Sequence, residues 1–194
     1  MNKINIKDLC QIALFSSIIC IISQLSIPMP AGVPITLQTF IIPLAAVIMG
    51  TKKGTISCVI YIVLGAIGAP VFAGMVGGLE VLFGKTGGFI ISFPLLALFS
   101  GVGYTFARKA LINADRRALF YSILVLGLTI GAAINYLIGT IWFSFVTGCS
   151  VGTAFVACVL PFIPTALIKI AMVAVAGPVI RSGMVKSGVI EASI

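Results

Sequence analysis

Residues able to do covalent chemistry are scarce in this sequence. The chain of 194 residues has no histidine and only four acidic residues, Asp8, Glu80, Asp115 and Glu191. Without imidazole the commonest general base and metal ligand is missing, so catalysis would fall to a carboxylate, a cysteine or a Ser–Lys pair. Asp8, Asp115 and Glu191 stand near the ends of apolar runs and read as solvated loop charges. Cys10, Cys20, Cys58, Cys149 and Cys158 lie among apolar residues with no Cys-x-x-Cys spacing. They read as small buried hydrophobes, not as a metal site or a disulfide framework. No Gly-x-Ser-x-Gly elbow and no zinc-ligand spacing occurs. The stretch from Gly78 to Thr86 approaches a phosphate-binding loop, but its first glycine is one residue too distant from Gly84-Lys85-Thr86. The expectation is therefore no catalytic residue, no metal and no cofactor, which leaves binding or transport.

Two features suit a binder. Lys169 sits within an apolar run, where a lysine costs about 2.5–3.5 kcal/mol on insertion scales. Pro161 and Pro164 start the helix that carries it, since proline is favoured in a first helical turn. Lys169 then either snorkels to the headgroups or faces a cavity, where it would suit an anion or another hydrogen-bond acceptor. The second feature is the segment 70–88, apolar and glycine-rich, with Glu80 and Lys85 as its only charges. Exposed loops are usually polar, so this one must pack on something. It is either a re-entrant loop folded on neighbouring helices or a lid whose glycines admit a ligand close to the backbone.

The elements that position these residues are membrane helices. The sequence is 60% hydrophobic and 8% charged, against roughly 45–50% and 25% in soluble domains. Disorder needs the opposite composition. A crossing helix needs roughly 17–25 mostly apolar residues, and the charge-free stretches accommodate six, near 9–27, 35–50, 54–69, 87–107, 118–141 and 164–180. Pro28, Pro30, Gly32 and Pro34 turn the chain between the first two. With the N-terminus in the cytoplasm, Lys3, Lys7, Lys52, Lys53, Arg108, Lys109, Arg116, Arg117, Arg181 and Lys186 fall inside and Lys85 alone falls in an outer loop. That bias explains the net charge of +8 by topology and removes the need for a nucleic-acid partner. Lys3 and Lys7 before an apolar run mimic a signal peptide, but no small-x-small cleavage site follows. Gly127-x-x-x-Gly131, and Ala13 with Ser17, permit close helix approach, to an internal helix or to another chain. Asn135, Tyr136 and Trp142 read as interhelical glue or as an interfacial belt.

Four blocks carry a family resemblance: Pro34-Ile-Thr-Leu-Gln-Thr39; Gly65-Ala-Ile-Gly-Ala-Pro-Val-Phe-Ala-Gly74; Leu82-Phe-Gly-Lys-Thr-Gly-Gly-Phe89; and Tyr136 to Trp142 with Pro161, Pro164 and Lys169. In this order the chain resembles the BioY family, the biotin-binding S components of energy-coupling-factor (ECF) vitamin transporters. The resemblance implies a multi-pass protein of a prokaryotic cell membrane, a bundle of six helices with cytoplasmic termini and a vitamin cavity near the outer face. It implies biotin as the ligand, and as partners a transmembrane coupling protein with two ATPase subunits, against which the S component reorients. Ala13 and Ser17 match the family's small residues that contact the coupling protein. The implied ligand contacts are Gln38, Phe72, Gly77, Gly78, Thr86, Gly87, Asn135, Tyr136 and Lys169.

This sequence departs from the family at four places: Ser17 stands for a preferred alanine and Glu80 for a more usual small residue, and Ala166 and Lys85 are the other two. The family pattern Pro-x-Asp-x-x-Lys reads Pro164-Thr-Ala-Leu-Ile-Lys169 here, so Ala166 replaces an aspartate that would accept the N–H groups of a cyclic urea. Glu80 is the expected substitute acceptor, facing the same cavity as Lys169. A lipoate-like or dethiobiotin-like carboxylate is the alternative ligand, and an intramembrane scaffold without ligand is the non-transport alternative. Lys85 replaces a usual proline and reads as solvated.

Overall fold

The computed structural model describes residues 5–30, 32–114 and 117–190. Lys3, Asp115, Arg116 and Glu191 lie outside the described residues. The described residues are mostly helical. Helix α1 (Ile6–Ser23) leads into a two-stranded antiparallel hairpin of β1 (Ser26–Ile27) and β2 (Ile35–Thr36), paired Ser26 to Thr36 and Ile27 to Ile35. Helices α2 (Gln38–Met49) and α3 (Thr51–Ala66) follow, then short α4 (Leu79–Phe83) and α5 (Gly87–Ile91). The long α6 (Phe93–Ala114) and α7 (Arg117–Thr147) precede α8 (Val151–Cys158), a 3-10 turn (Leu160–Phe162) and α9 (Ile163–Lys186).

Each of the six expected segments contains helix, with different limits. Helix α1 starts three residues early and stops before the hairpin, because Asn5 caps it: its side chain accepts from the Asp8 backbone N–H, and the Asp8 carboxylate accepts from the Asn5 N–H. Residues 26–27 and 35–36 pair as strands: Ile27 is biased to extended backbone by Pro28 after it, and the chain turns between them with the Gly32 N–H donating to the Met29 carbonyl (2.9 Å). Helix α7 runs six residues past the expected end, to Thr147. The segment 87–107 breaks at Ser92, whose hydroxyl donates to the Phe89 carbonyl (3.0 Å). Four helical stretches, Ile6–Ser23, Gly87–Leu111, Arg117–Thr147 and Val151–Lys186, are long and apolar enough to cross a membrane; Gln38–Met49 is a shorter apolar helix.

The short helix is the hub of the bundle. Residues 41–49 of α2 are all buried, packed by α1, α3, α6 and α9. A helix apolar on every side belongs in the interior. The outer helices do the reverse of soluble ones and present Leu14, Leu126, Ile141, Phe145, Leu167 and Val179 outward, which suits hydrocarbon. Gly127 answers the question left by its spacing: it faces Gly103 of α6, and a Cβ on Gly127 would lie 2.6 Å from the Gly103 Cα. Its partner is internal. Cys20, Cys58 and Cys158 are buried as expected, whereas Cys10 is exposed on the first helix.

One basic residue assigned to a cytoplasmic loop lies inside the protein. Arg181, 3% exposed, donates from Nη1 to the Ile48 carbonyl (2.5 Å) and the Val47 carbonyl (3.3 Å) and stacks 5.0 Å from the Tyr104 ring. It thereby satisfies carbonyls at the C-terminal end of α2, which no further helical turn can reach. A cation suits that end of the helix dipole.

Candidate functional site

A cavity of about 380 Å³ opens where the hairpin, the start of α2, the glycine-rich loop, α5, α7 and the start of α9 converge. Its wall is mostly apolar and includes Met29, Val33, Phe72, Val81, Phe89, Phe93, Tyr136 and Phe162. Polar groups are few, and Lys169, Thr36, Thr39 and Gln38 are tied to one another. Such a wall with a few oriented polar groups is the usual make-up of a small-molecule site.

Lys169 is the cation of this cavity. The first helical turns of α9, begun by Pro161 and Pro164, bring it level with the start of α2. Its ammonium donates to the Thr36 carbonyl (2.6 Å) and to the Thr39 hydroxyl (3.1 Å). An ammonium has three N–H donors, so these contacts leave one for a ligand. The lysine therefore faces inward to protein partners, and snorkelling is not what positions it. Thr36 continues the chain of contacts: its hydroxyl donates to Gln38 Oε1 (3.0 Å), and Gln38 Nε2 donates to the buried Tyr61 hydroxyl (2.7 Å). Tyr61 meets Phe72 edge-on, 5.6 Å between ring centroids.

The opposite wall hangs on α7. Asn135, 1% exposed, donates to the Phe89 carbonyl (2.8 Å) and to Ser92 Oγ (2.7 Å), closing the break between α5 and α6. Of its two readings, interhelical glue is the one realised. Trp142 donates from Nε1 to the Gly84 carbonyl (2.9 Å) and so pins the loop that joins α4 to α5. Beside it Gly88 and Gly139 allow helix α5 to touch α7: a Cβ on Gly88 would lie 2.2 Å from the Trp142 Cβ. The glycine-rich loop is thus folded on its neighbours, with Phe72 seated against Gly65, where a Cβ would lie 2.1 Å from the Phe72 ring.

Of the expected ligand contacts, Lys169, Gln38, Phe72, Thr86, Asn135 and Tyr136 line this one cavity. Five do not. Gly77 and Gly87 serve backbone packing, since a Cβ would lie 2.1 Å from the Ala69 carbonyl oxygen and 1.7 Å from that of Leu82. Gly78, at φ 104, turns the chain into α4. Ala166 is half-buried on α9, outside the lining. Glu80 is not brought to Lys169: it is exposed on α4 outside the lining, while its neighbour Val81 faces the cavity. Placed in the first turn of α4, its carboxylate sits where unpaired backbone N–H groups favour negative charge. The expected pairing of Glu80 with Lys169 is therefore absent from this geometry.

Residues that sequence reasoning missed are those the lysine uses. Thr36 and Thr39 lie inside the first block of the resemblance, around Gln38, but neither type signals a lysine partner 133 or 130 residues away. Pro28 reads only as part of a turn and Met29 and Val33 carry no signal in the sequence, yet the hairpin loop they belong to is a cavity wall. Cys158 and Phe162 complete it from α8 and the 3-10 turn, an element the span count did not include.

Comparison with known proteins agrees with this architecture. The family model described as BioY family matches residues 1–186. The chain belongs to the BioY family. A probable biotin transporter BioY of Pyrococcus horikoshii is 36% identical over 165 residues, covering 85% of this chain and 90% of the relative. Biotin transporter BioY2 of Lactococcus lactis is 31% identical over 177 residues, 91% of each chain. A solved S component for biotin from an ECF-type ABC transporter superposes with a TM-score of 0.77 at 29% identity, covering 91% of this chain and 92% of that one. The fold is thus that of an ECF S component, and its relatives are named as transporters, not enzymes.

Proposed function

We propose that this BioY-family chain binds biotin in the cavity beside Lys169 and serves as the biotin S component of an ECF-type transporter. The observation that carries the reading is the cavity itself: about 380 Å³, mostly apolar, with one ammonium anchored by two protein contacts and a third N–H to offer. Biotin has an apolar ring and chain with acceptors at both ends, the ureido carbonyl and the carboxylate. Relatives and the superposed structure bear the same ligand in their names. A dethiobiotin-like or lipoate-like carboxylate is the second reading, motivated by Ala166 in place of the family aspartate.

In this account the helices form six membrane crossings with both termini cytoplasmic, oriented by the basic residues of the inner loops. Ala13 and Ser17, both exposed on the outer side of α1 with the Ser17 hydroxyl folded back on the Ala13 carbonyl (3.0 Å), form the small-residue face for the coupling protein. ATP hydrolysis belongs to separate subunits, which drive reorientation and release. The test is uptake of labelled biotin by a biotin-auxotrophic bacterium that lacks its own transporter. Cells making this chain with a coupling protein and two ATPases are expected to accumulate biotin, and excess unlabelled biotin to block it. No accumulation with all four proteins present in the membrane would contradict the reading.

A further inference from the structure

Lys85, the residue that departs from the family's proline, is exposed as expected and stands just outside the cavity lining. It lies in the turn between α4 and α5, and its side chain crosses to the other loop over the cavity, the one between β1 and β2. A Cβ built on Gly32 would lie 3.6 Å from the Lys85 Cδ and 3.9 Å from its Nζ. Gly32, at φ 81, is both exposed and part of the cavity lining, so this contact marks the rim. A glycine there leaves room for the lysine stem. Among the described residues Lys85 makes no salt bridge, the one ion pair being Lys53 with Asp8 at the far side of the bundle. Glu80, also exposed on the same loop, does not line the cavity and is not within ion-pair distance of Lys85.

From this geometry we infer that Lys85 is a rim cation that recruits carboxylate ligands into the cavity, recognising their negative charge before the inner contacts with Lys169 form. The inference rests on the biotin reading and deepens it by naming the group that speeds entry. A charge without an ion-pair partner at the mouth of a cavity raises the local concentration of opposite charge and hence the association rate. A unit charge about 10 Å from an incoming carboxylate in water changes that concentration about two-fold, and reversing the charge changes it about four-fold.

The test measures association rates of labelled biotin and of its uncharged methyl ester with the full chain in nanodiscs of zwitterionic lipid. Wild type, Lys85→Gln and Lys85→Glu are compared at ~10 mM and ~1 M salt, where charges act over about 30 Å and 3 Å. Expected at low salt are about two-fold slower biotin association for Lys85→Gln and about four-fold for Lys85→Glu, with both differences gone at high salt. The ester should associate at one rate with all three proteins, which also shows that the variants are folded. Equal biotin rates across the three, or an ester slowed as much as the acid, would overturn the inference and leave the biotin reading intact. Wild type that binds neither compound would overturn both.

Discussion

Replacing Lys169 with methionine keeps an unbranched stem of similar length and removes only the ammonium. In the free protein the change deletes donors to the Thr36 carbonyl at 2.6 Å and the Thr39 hydroxyl at 3.1 Å. Both partners are half-buried beside the cavity and can turn to water there, so the fold should persist. The bound state loses more, because the third N–H of Lys169 is the strongest donor the cavity offers a ligand oxygen. A hydrogen bond involving a charged group contributes about 1.5–3 kcal/mol net, which corresponds to a roughly 10- to 150-fold weaker dissociation constant. Calorimetric titration of both proteins with biotin in one detergent measures it, with thermal unfolding of each run beside it. The account expects near-equal unfolding temperatures and affinity weakened within that range. An unchanged affinity for Lys169→Met would refute the reasoning, since it would mean that the ammonium serves only Thr36 and Thr39.

Other outcomes follow from the same geometry. Gly127→Ala places a methyl group 2.6 Å from the Gly103 Cα and should cost about 1–3 kcal/mol through forced separation of α6 and α7, read as a lower unfolding temperature. Arg181→Met leaves the Val47 and Ile48 carbonyls at the end of α2 without their donor and should destabilise by about 1–3 kcal/mol in the same assay. Asn135→Leu removes both contacts that close the α5–α6 break; biotin titration should show weaker binding together with reduced stability, because Phe89 beside it lines the cavity. Ala13→Leu with Ser17→Leu should leave biotin titration unchanged and abolish copurification with the coupling protein, since both positions are exposed and outside the cavity.

What was legible in the sequence was what composition and spacing govern. Charge scarcity located the apolar helices, because lipid penalises charge wherever a helix crosses. Lys169 stands out for the same reason, and the structure places it in the cavity wall. Less legible was anything that depends on two distant segments meeting. The hairpin at 26–36 hides in what reads as helix ends, since Ser26–Ile27 and Ile35–Thr36 are each only two residues long and acquire their state from pairing. Arg181 looks like a loop charge in sequence but is buried against Tyr104, because the end of a central helix needs a donor that only the neighbouring helix can supply. Glu80 was assigned to the cavity by chemical need, and α4 turns it away while aiming Val81 inward. A one-residue difference on a helix of five residues is beyond what glycine-rich sequence can specify. The loop glycines illustrate the same limit: their types were right for close approach, yet the approaching atoms are Ala69, Leu82 and Trp142, not a ligand.

The central claim, that this cavity holds biotin, is tested most directly by equilibrium titration of the purified chain. The protein would be made in cells grown without added vitamin, freed of bound ligand, shown to be folded, and titrated with biotin and with a lipoate-like carboxylate in parallel. The account predicts saturable binding of one biotin per chain, abolished by prior saturation with unlabelled biotin and much weaker for the lipoate-like compound. Folded protein that gives no saturable signal with biotin, or that prefers the other carboxylate, would contradict it.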